Sequence, residues 1–168
     1  MKAKRGIGAL LGLMIVTATG PARAVDVPDN CPGVQLAFHM LPEAPGDVGV
    51  PLPEGAVFFG GNGGGEVRVN GEPYMQLPMA RFLVTLKVDE AVAFYQDRLG
   101  DKWQRDAFLG TTVFFRRADL PEGGDVRDLL LSKPAAKPYV LFTDVEGEEC
   151  AQALLKGART MIEIAFEK

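Results

Sequence analysis

The alternation of apolar and polar residues is clearest in the middle of the chain. Apolar residues occupy every second position from Phe82 to Val88, which is the pattern of a β-strand with one buried face. Apolar residues then recur at helical spacing up to Leu99, with Asp89 as the predicted N-cap and Gly100 as the stop signal. The pattern therefore predicts a strand that runs directly into a short amphipathic helix.

Shorter apolar runs on both sides of this unit predict further strands. They cover residues 57–59, 66–69, 72–77, 111–117, 139–145 and 160–166. Asn70-Gly71 separates two of them and predicts a hairpin turn, because both positions of a type I′ turn need positive φ. Trp103 is expected to cover the end of the first helix, and a second short helix is predicted over residues 148–156.

These elements predict an α+β domain over residues 55–168, with a mostly antiparallel sheet of about five strands and one or two short helices on one face. A small β-barrel with an appended helix is the alternative. Residues 25–54 contain six prolines, each of which fixes φ and removes a backbone donor. This segment is predicted to be an irregular proline-rich arm, in which the apolar run 34–41 is a candidate for pairing at a sheet edge.

Residues 1–24 have the order of a secretory signal peptide. Basic residues precede an apolar run from Ile7 to Val16, and Ala22-Arg23-Ala24 forms a small-x-small cleavage site. The alternative is an uncleaved membrane anchor, but a spanning helix needs about 20 apolar residues, and the stretch from Gly6 to Gly20 has 15. We expect cleavage after Ala24 and a mature chain in the periplasm or outside the cell.

Removal of this segment makes the protein strongly acidic. It takes away four basic and no acidic residues, so 14 basic and 22 acidic residues remain and the net charge changes from −4 to −8. Binding to nucleic acid or to anionic lipid depends on basic side chains that neutralise phosphate. The sequence therefore argues against a nucleic-acid partner, and no second apolar segment reaches spanning length.

Two cysteines remain in the mature chain, Cys31 and Cys150. In an oxidising compartment an even number of cysteines favours a disulfide. Closing a loop of this length would stabilise the fold by about 4 to 5 kcal/mol in the chain-entropy model. We predict a Cys31–Cys150 disulfide, with two buried free thiols as the alternative.

No motif predicts a catalytic residue or a cofactor. His39 is the only histidine and Ser132 the only serine, and no nucleophile elbow surrounds Ser132. The glycine run 60–65 lacks the spacing of a dinucleotide-binding loop and is not followed by a helix. We predict a flexible loop there, and its candidate ligand- or partner-binding residues are Gly61, Asn62, Gly63 and Gly64.

Two sets of residues are candidates for metal binding. His39, Met40, Met75 and Met79 offer the imidazole and thioether groups that suit Cu(I), although methionines also fill gaps in cores. Calcium would use carboxylate oxygens of Asp144, Glu146, Glu148 and Glu149, without the spacing of an EF-hand.

Two pairs of acids are candidates for acid–base chemistry. Asp119 with Asp125, and Asp144 with Glu148, lie close in sequence within predicted loops. Paired carboxylates of this kind act as acid and base in glycosidases. A solvated, charged loop surface is the more common reason for such acids.

One stretch of the sequence resembles known proteins. The segment Pro51–Ala56, followed by Val88–Tyr95 with Leu99 and Trp103, resembles small exported bacterial envelope proteins of uncharacterised families. In those families a strand leads into a helix with a Phe-Tyr pair, and a tryptophan and further strands follow. The resemblance extends from about Pro51 to Arg117. It implies a bacterial envelope location, and it supplies no activity and no catalytic residues.

The sequence therefore favours an exported, non-enzymatic accessory or binding module of the bacterial envelope. It would bind a protein partner or a small ligand on an exposed sheet face or on the glycine-rich loop, without a cofactor. The alternatives are a small periplasmic hydrolase that uses loop carboxylates and a periplasmic copper- or calcium-binding protein.

We predict that the protein isolated from the cell envelope begins at Val25 and contains the Cys31–Cys150 disulfide, since an exported chain meets signal peptidase and then an oxidising environment. Intact-mass measurement before and after reduction tests both points. The expected mass is that of residues 25–168 less the two hydrogens lost on disulfide formation. A reduced chain that begins at Met1 would contradict the prediction.

Overall fold

The structure, a computed structural model, describes residues 41, 44–69, 71–120, 122–126 and 137–167. The strands in this part of the chain are β1 (Val57–Asn62), β2 (Gly65–Val69), β3 (Glu72–Gln76), β4 (Met79–Val84), β5 (Trp103–Phe108), β6 (Thr111–Arg116), β7 (Tyr139–Asp144) and β8 (Thr160–Ala165). The helices are α1 (Val88–Arg98), α2 (Glu149–Leu154) and a 3-10 turn (Arg117–Asp119).

Six strands form one sheet in the order β1-β4-β8-β7-β6-β5, and each neighbouring pair is antiparallel. β2 and β3 form a separate hairpin in which Val69 pairs with Glu72, on either side of the predicted turn. The α+β class with a mostly antiparallel sheet is confirmed. The described sheet ends at β1 and β5 and is not a closed barrel.

The strand that the sequence analysis missed is β5. Trp103 opens this strand instead of only covering the helix end. The three residues in the middle of β5, Arg105, Asp106 and Ala107, are all exposed. A strand without an apolar face has no period-two signal for the sequence to reveal.

α1 packs on one face of the sheet through Ala91, Val92 and Tyr95. The Tyr95 side chain is fully buried and its ring meets those of Phe114 and Phe142, the latter with centroids 5.5 Å apart. Burial raises the pKa of the Tyr95 hydroxyl above its ordinary value of 10.0. The same cluster contains Val48, Ala80, Phe82, Val84, Val140, Ile162, Ile164 and Phe166.

α2 packs on the opposite face of the sheet. Its buried Ala151 lies in a cluster with Leu83, Val145 and Ala158. Leu83 points away from α1 because successive side chains in a strand alternate between faces, and it is 0% exposed. The prediction that the helices share one face is therefore wrong, because β4 carries apolar residues on both faces.

Polar side chains hold the middle of that second face together. Arg81 Nε lies 2.7 Å from Glu163 Oε2, and the Tyr139 hydroxyl donates a 3.0 Å hydrogen bond to Glu163 Oε1. Burial, reinforced by the charge of Glu163, raises the pKa of Tyr139 above its ordinary value. Glu163 is thus satisfied from both neighbouring strands, β4 and β7.

The junction between β4 and α1 differs from the prediction. β4 ends at Val84 and α1 begins at Val88, so Asp89 lies inside the helix instead of capping it. Glu90 supplies the cap, because its Oε2 accepts a 2.8 Å hydrogen bond from the Lys87 backbone N–H. A carboxylate in the third helical position reaches back to the residue before the helix, as in a capping box.

The glycine run is not a loop over residues 60–65 as the sequence predicts, because only Gly63 and Gly64 lie between strands. Gly61 and Asn62 belong to β1, with Gly61 opposite Ala80 of β4. A Cβ on Gly61 would collide with the carbonyl oxygen of Met79. Asn62 Oδ1 accepts a 3.1 Å hydrogen bond from the Gly64 N–H, which turns the chain towards β2. Close backbone approach is therefore one reason for the run of glycines.

Only part of the predicted proline-rich arm falls within the described residues. Leu41 donates its N–H to the Gly61 carbonyl over 3.2 Å, and Val48 is buried in the α1-side core. Residues 25–40 lie outside the described part, so the arm over residues 25–54 stays a prediction. Among the described helices, none combines the length and the apolar character that a membrane crossing requires.

We predict that Gly61→Ala lowers the free energy of unfolding by about 3 kcal/mol or more, because overpacking against backbone forces β1 and β4 apart. Gly46→Ala is the matched control, since a Cβ there meets nothing within 4 Å. Urea unfolding should show a change of about 0.5 kcal/mol or less for the control. Equal changes in the two variants would contradict the close approach at Gly61.

We predict that Tyr95→Phe raises the free energy of unfolding by about 1 kcal/mol. The buried Tyr95 hydroxyl has no hydrogen-bond partner in the described part of the chain, so its removal relieves a desolvation cost. Tyr139→Phe removes a hydroxyl that is bonded to Glu163 and should lower the same free energy by about 1 to 3 kcal/mol. Urea unfolding of both variants checks the opposite signs, and a loss of stability in Tyr95→Phe would refute the account.

Candidate functional site

A cleft of about 690 Å³ lies beside α1, on the face of the sheet that the helix covers. One wall is the side of α1 that carries Val88, Val92, Ala93 and Gln96. These positions share one side of a helix because they lie three, four and eight residues apart. The wall is therefore apolar along much of its length and polar at its far end.

The opposite wall comes from the β5–β6 hairpin. Arg105 of β5 is paired with Phe114 of β6, and Ala107 with Thr112. Because Phe114 points into the α1-side core, Arg105 and Thr112 point to the same face. α1 itself contacts β7, two strands from the sheet's β5 edge, and the hairpin beyond it remains open as the wall of the cleft.

Charged side chains of both signs surround the cleft. The basic ones are Lys87, Arg105 and Arg159, and the acidic ones are Asp89, Asp144 and Glu146. Arg159 Nε lies 3.5 Å from Glu146 Oε1, and Asp144 Oδ1 accepts a 2.9 Å hydrogen bond from the Glu146 N–H. Arg105 makes no hydrogen bond or ion pair with any described residue. The cleft therefore offers a free guanidinium opposite an apolar helix wall.

The predicted acid pair Asp119 and Asp125 is not in this cleft. Asp119 Oδ2 accepts a 2.5 Å hydrogen bond from Arg116 Nε, and Lys137 Nζ is 3.9 Å from its other oxygen. Arg116 also forms a pair of 2.9 Å hydrogen bonds with Glu167. These bonds, first those with Glu167, raise the pKa of Arg116 above its ordinary value. Asp119 therefore serves an ion-pair network at the end of β6.

The second acidic cluster is only partly brought together. Asp144 and Glu146 line the cleft, whereas Glu148 and Glu149 do not. Within the described ranges, no group of three or more His, Cys, Asp and Glu side chains is placed to hold a metal ion. The four acids proposed as calcium ligands therefore do not converge.

The predicted copper ligands are distributed over different elements. Met75 lies in β3 and is 49% exposed, while Met79 lies in β4 with its sulfur 3.9 Å from the Tyr139 hydroxyl. His39 and Met40 are outside the described residues. A copper site that combines them stays a prediction.

The remaining predicted site residues also lie away from the cleft. Gly61 and Asn62 end β1, Gly63 and Gly64 connect it to β2, and none of the four lines the cleft. Cys150 is disulfide-bonded, and because its predicted partner Cys31 is outside the described residues, their pairing stays a prediction.

The sequence analysis missed the basic residues of the cleft. Lys87, Arg105 and Arg159 are separated by long stretches of chain and belong to no motif. Of the candidate site residues named from the sequence, only the loop acids Asp144 and Glu146 line the cleft. The sequence around Arg105 gives little indication of a site. Arg105 is a lone arginine in a polar stretch between Trp103 and Phe108, and nothing there shows which residues lie near it in the fold.

Comparison with known proteins yields no match, either to a protein-family model, to a curated protein or to a solved structure. The resemblance of residues 51–117 to exported bacterial envelope proteins therefore stays a prediction.

Proposed function

We propose that this chain is an exported, non-enzymatic binding module of the bacterial envelope, and that it holds its ligand in the cleft between α1 and the β5–β6 hairpin. The observation that carries the proposal is the cleft itself, with its apolar helix wall and charges of both signs. Its volume of about 690 Å³ falls in the range of small-molecule sites, about 300 to 1,000 Å³. The proposed export rests on the signal-like order of residues 1–24.

The cleft is a better candidate for the ligand site than the glycine-rich segment. Gly61 and Gly64 approach neighbouring backbone closely, and a Cβ on Gly64 would lie 2.6 Å from the Pro78 nitrogen. These glycines are explained by packing. The guanidinium of Arg105 has no such explanation in the described ranges, where it pairs with no residue, and this supports a role in binding.

A hydrolase is the second candidate, because Asp144 and Glu146 both line the cleft. Both carboxylates already have partners within the fold. Asp144 accepts a hydrogen bond from the Glu146 N–H in the turn at residues 144–146, and Glu146 forms an ion pair with Arg159. This arrangement supports binding more than acid–base catalysis. The hydrolase would be favoured if the protein hydrolyses a bound ester or glycoside and if Glu146→Gln loses this activity but still binds the substrate.

We predict that Ala93→Trp abolishes ligand binding, because Ala93 is an exposed residue of α1 in the wall of the cleft and an indole ring would fill the space. Native mass spectrometry of the protein purified from its own envelope should show a bound ligand mass in the wild type and none in Ala93→Trp. Ala153→Trp is the matched control, since Ala153 is an exposed residue of the other helix, α2, and does not line the cleft.

Thermal unfolding of each variant shows whether it is folded. Retention of the ligand by a folded Ala93→Trp protein would exclude the cleft as its site. A ligand lost equally from Ala153→Trp would point to binding through the second face of the sheet instead.

A further inference from the structure

We propose that the ligand of the cleft is an extended peptide segment with a carboxylate side chain, which adds as a further strand to the outer edge of β5 and pairs with Arg105. The inference rests on the proposed function and names the class of ligand. It follows from the position of β5, from the direction of its backbone groups and from the charge beside it.

β5 is the terminal strand of the sheet, and β6 is the one described strand that pairs with it. At the opposite edge, β1 already receives a hydrogen bond from Leu41. A terminal strand presents a row of unpaired N–H and C=O groups, which is the template that extended peptides use for strand addition.

The hairpin turn determines which groups of β5 face outwards. Leu109 and Gly110 connect Phe108 to Thr111 with φ values of 48° and 84°, as in a type I′ turn. In such a hairpin the two residues that flank the turn bond to each other, and bonded positions then alternate along the strand. The outward-facing residues of β5 are therefore Trp103, Arg105 and Ala107.

Two of the three outward N–H groups are already occupied. Trp103 donates to the Gly100 carbonyl at 3.2 Å, and Ala107 donates to Asp106 Oδ1 at 2.7 Å. Arg105 has no such partner in the described part of the chain. Its backbone N–H and C=O are thus the groups at the centre of the edge that a peptide can pair with.

The Arg105 side chain supplies the specificity. It points to the α1 side and lines the cleft, so a residue placed opposite Arg105 on an added strand would direct its own side chain into the same cleft. Directly opposed residues have Cβ atoms about 4.5 to 5.5 Å apart. A glutamate or aspartate at that position would meet the guanidinium of Arg105, which pairs with no described residue.

The length of the cleft agrees with a short peptide. Its helix wall runs from Val88 to Gln96, about 12 Å at 1.5 Å per residue. An extended chain rises about 3.3 Å per residue, so about four residues would lie along the wall.

Capped pentapeptides of alternating threonine and valine, with each of the 20 amino acids in turn at the centre, test the proposal. Fluorescence anisotropy should show binding that is about two- to fivefold tighter for central glutamate or aspartate than for alanine, as expected for an opposite-charge cross-strand pair. Amide NMR shifts should change at Arg105. Arg105→Ala should remove the preference for acid.

Arg68→Ala is the matched control, because Arg68 is an exposed arginine on β2 and its loss should leave peptide binding unchanged. Arg105→Pro removes the outward N–H but no hydrogen bond to β6, and an edge strand tolerates proline at such a position. This variant should abolish peptide binding. Its folding is checked by thermal unfolding.

Asp106 gives a second test that does not depend on the proline variant. Asp106→Ala frees the Ala107 N–H for the peptide and should tighten binding of the peptide with central alanine, whereas Asp106→Asn retains the acceptor oxygen and should not. Equal effects in both variants would show that charge and not the backbone group is responsible, and would overturn strand addition.

The proposal is overturned if no peptide in the set binds, or if binding leaves the Arg105 amide unchanged. Native mass spectrometry then separates it from the proposed function. A native ligand that persists in folded Arg105→Pro but is lost from Ala93→Trp would mean that the cleft binds a ligand without strand addition. A native ligand that persists in both variants would refute the binding site as well.

Discussion

The burial of Tyr95 between α1 and the sheet is the interaction on which the rest of the described structure depends. Its ring packs edge-on against Phe142 and lies near Phe114, which holds the helix against β7. The helix covers β7 and Phe114 of β6, whereas Arg105 and Thr112 of the β5–β6 hairpin line the cleft beside it. The same contact that builds the core therefore also creates the candidate binding site, at the cost of a buried hydroxyl without a described partner.

The two faces of the sheet are stabilised by different means. The α1 side is an aromatic and aliphatic core, whereas the other side has apolar clusters around Leu83 and around Phe115. Between them, Glu163 joins Arg81 of β4 to Tyr139 of β7. A half-buried ion pair contributes modest net stability because desolvation offsets its attraction. Its clearer effect is on register, since Arg81 lies directly opposite Glu163 and Tyr139 lies two residues along β7 from the position opposite it, so a shift of either strand would separate these groups.

The two edge strands of the sheet, β1 and β5, also differ in the contacts that they make. At β1, the lack of a side chain on Gly61 allows the backbone of β4 to approach closely, and the Leu41 N–H donates a hydrogen bond to the Gly61 carbonyl. At β5 the middle residues are exposed and include the charged Arg105 and Asp106, and Asp106 accepts a hydrogen bond from one outward N–H. Polar side chains and occupied donors protect an edge from indiscriminate pairing. Among the outward N–H groups of β5, that of Arg105 is the one without a described partner, and it lies beside a charged cleft. Such an edge suits selective recognition.

The sequence by itself determined the elements whose signals are local. Period-two and helical spacing located β4, α1, β7 and β8 to within a few residues, and Asn70-Gly71 located the hairpin turn. Only the tertiary structure decided that α2 lies opposite α1, that β5 exists, and that Arg105, Asp144 and Arg159 line one cleft. Strand order and the approach of residues far apart in sequence depend on how whole faces are buried, and no short stretch of chain encodes that.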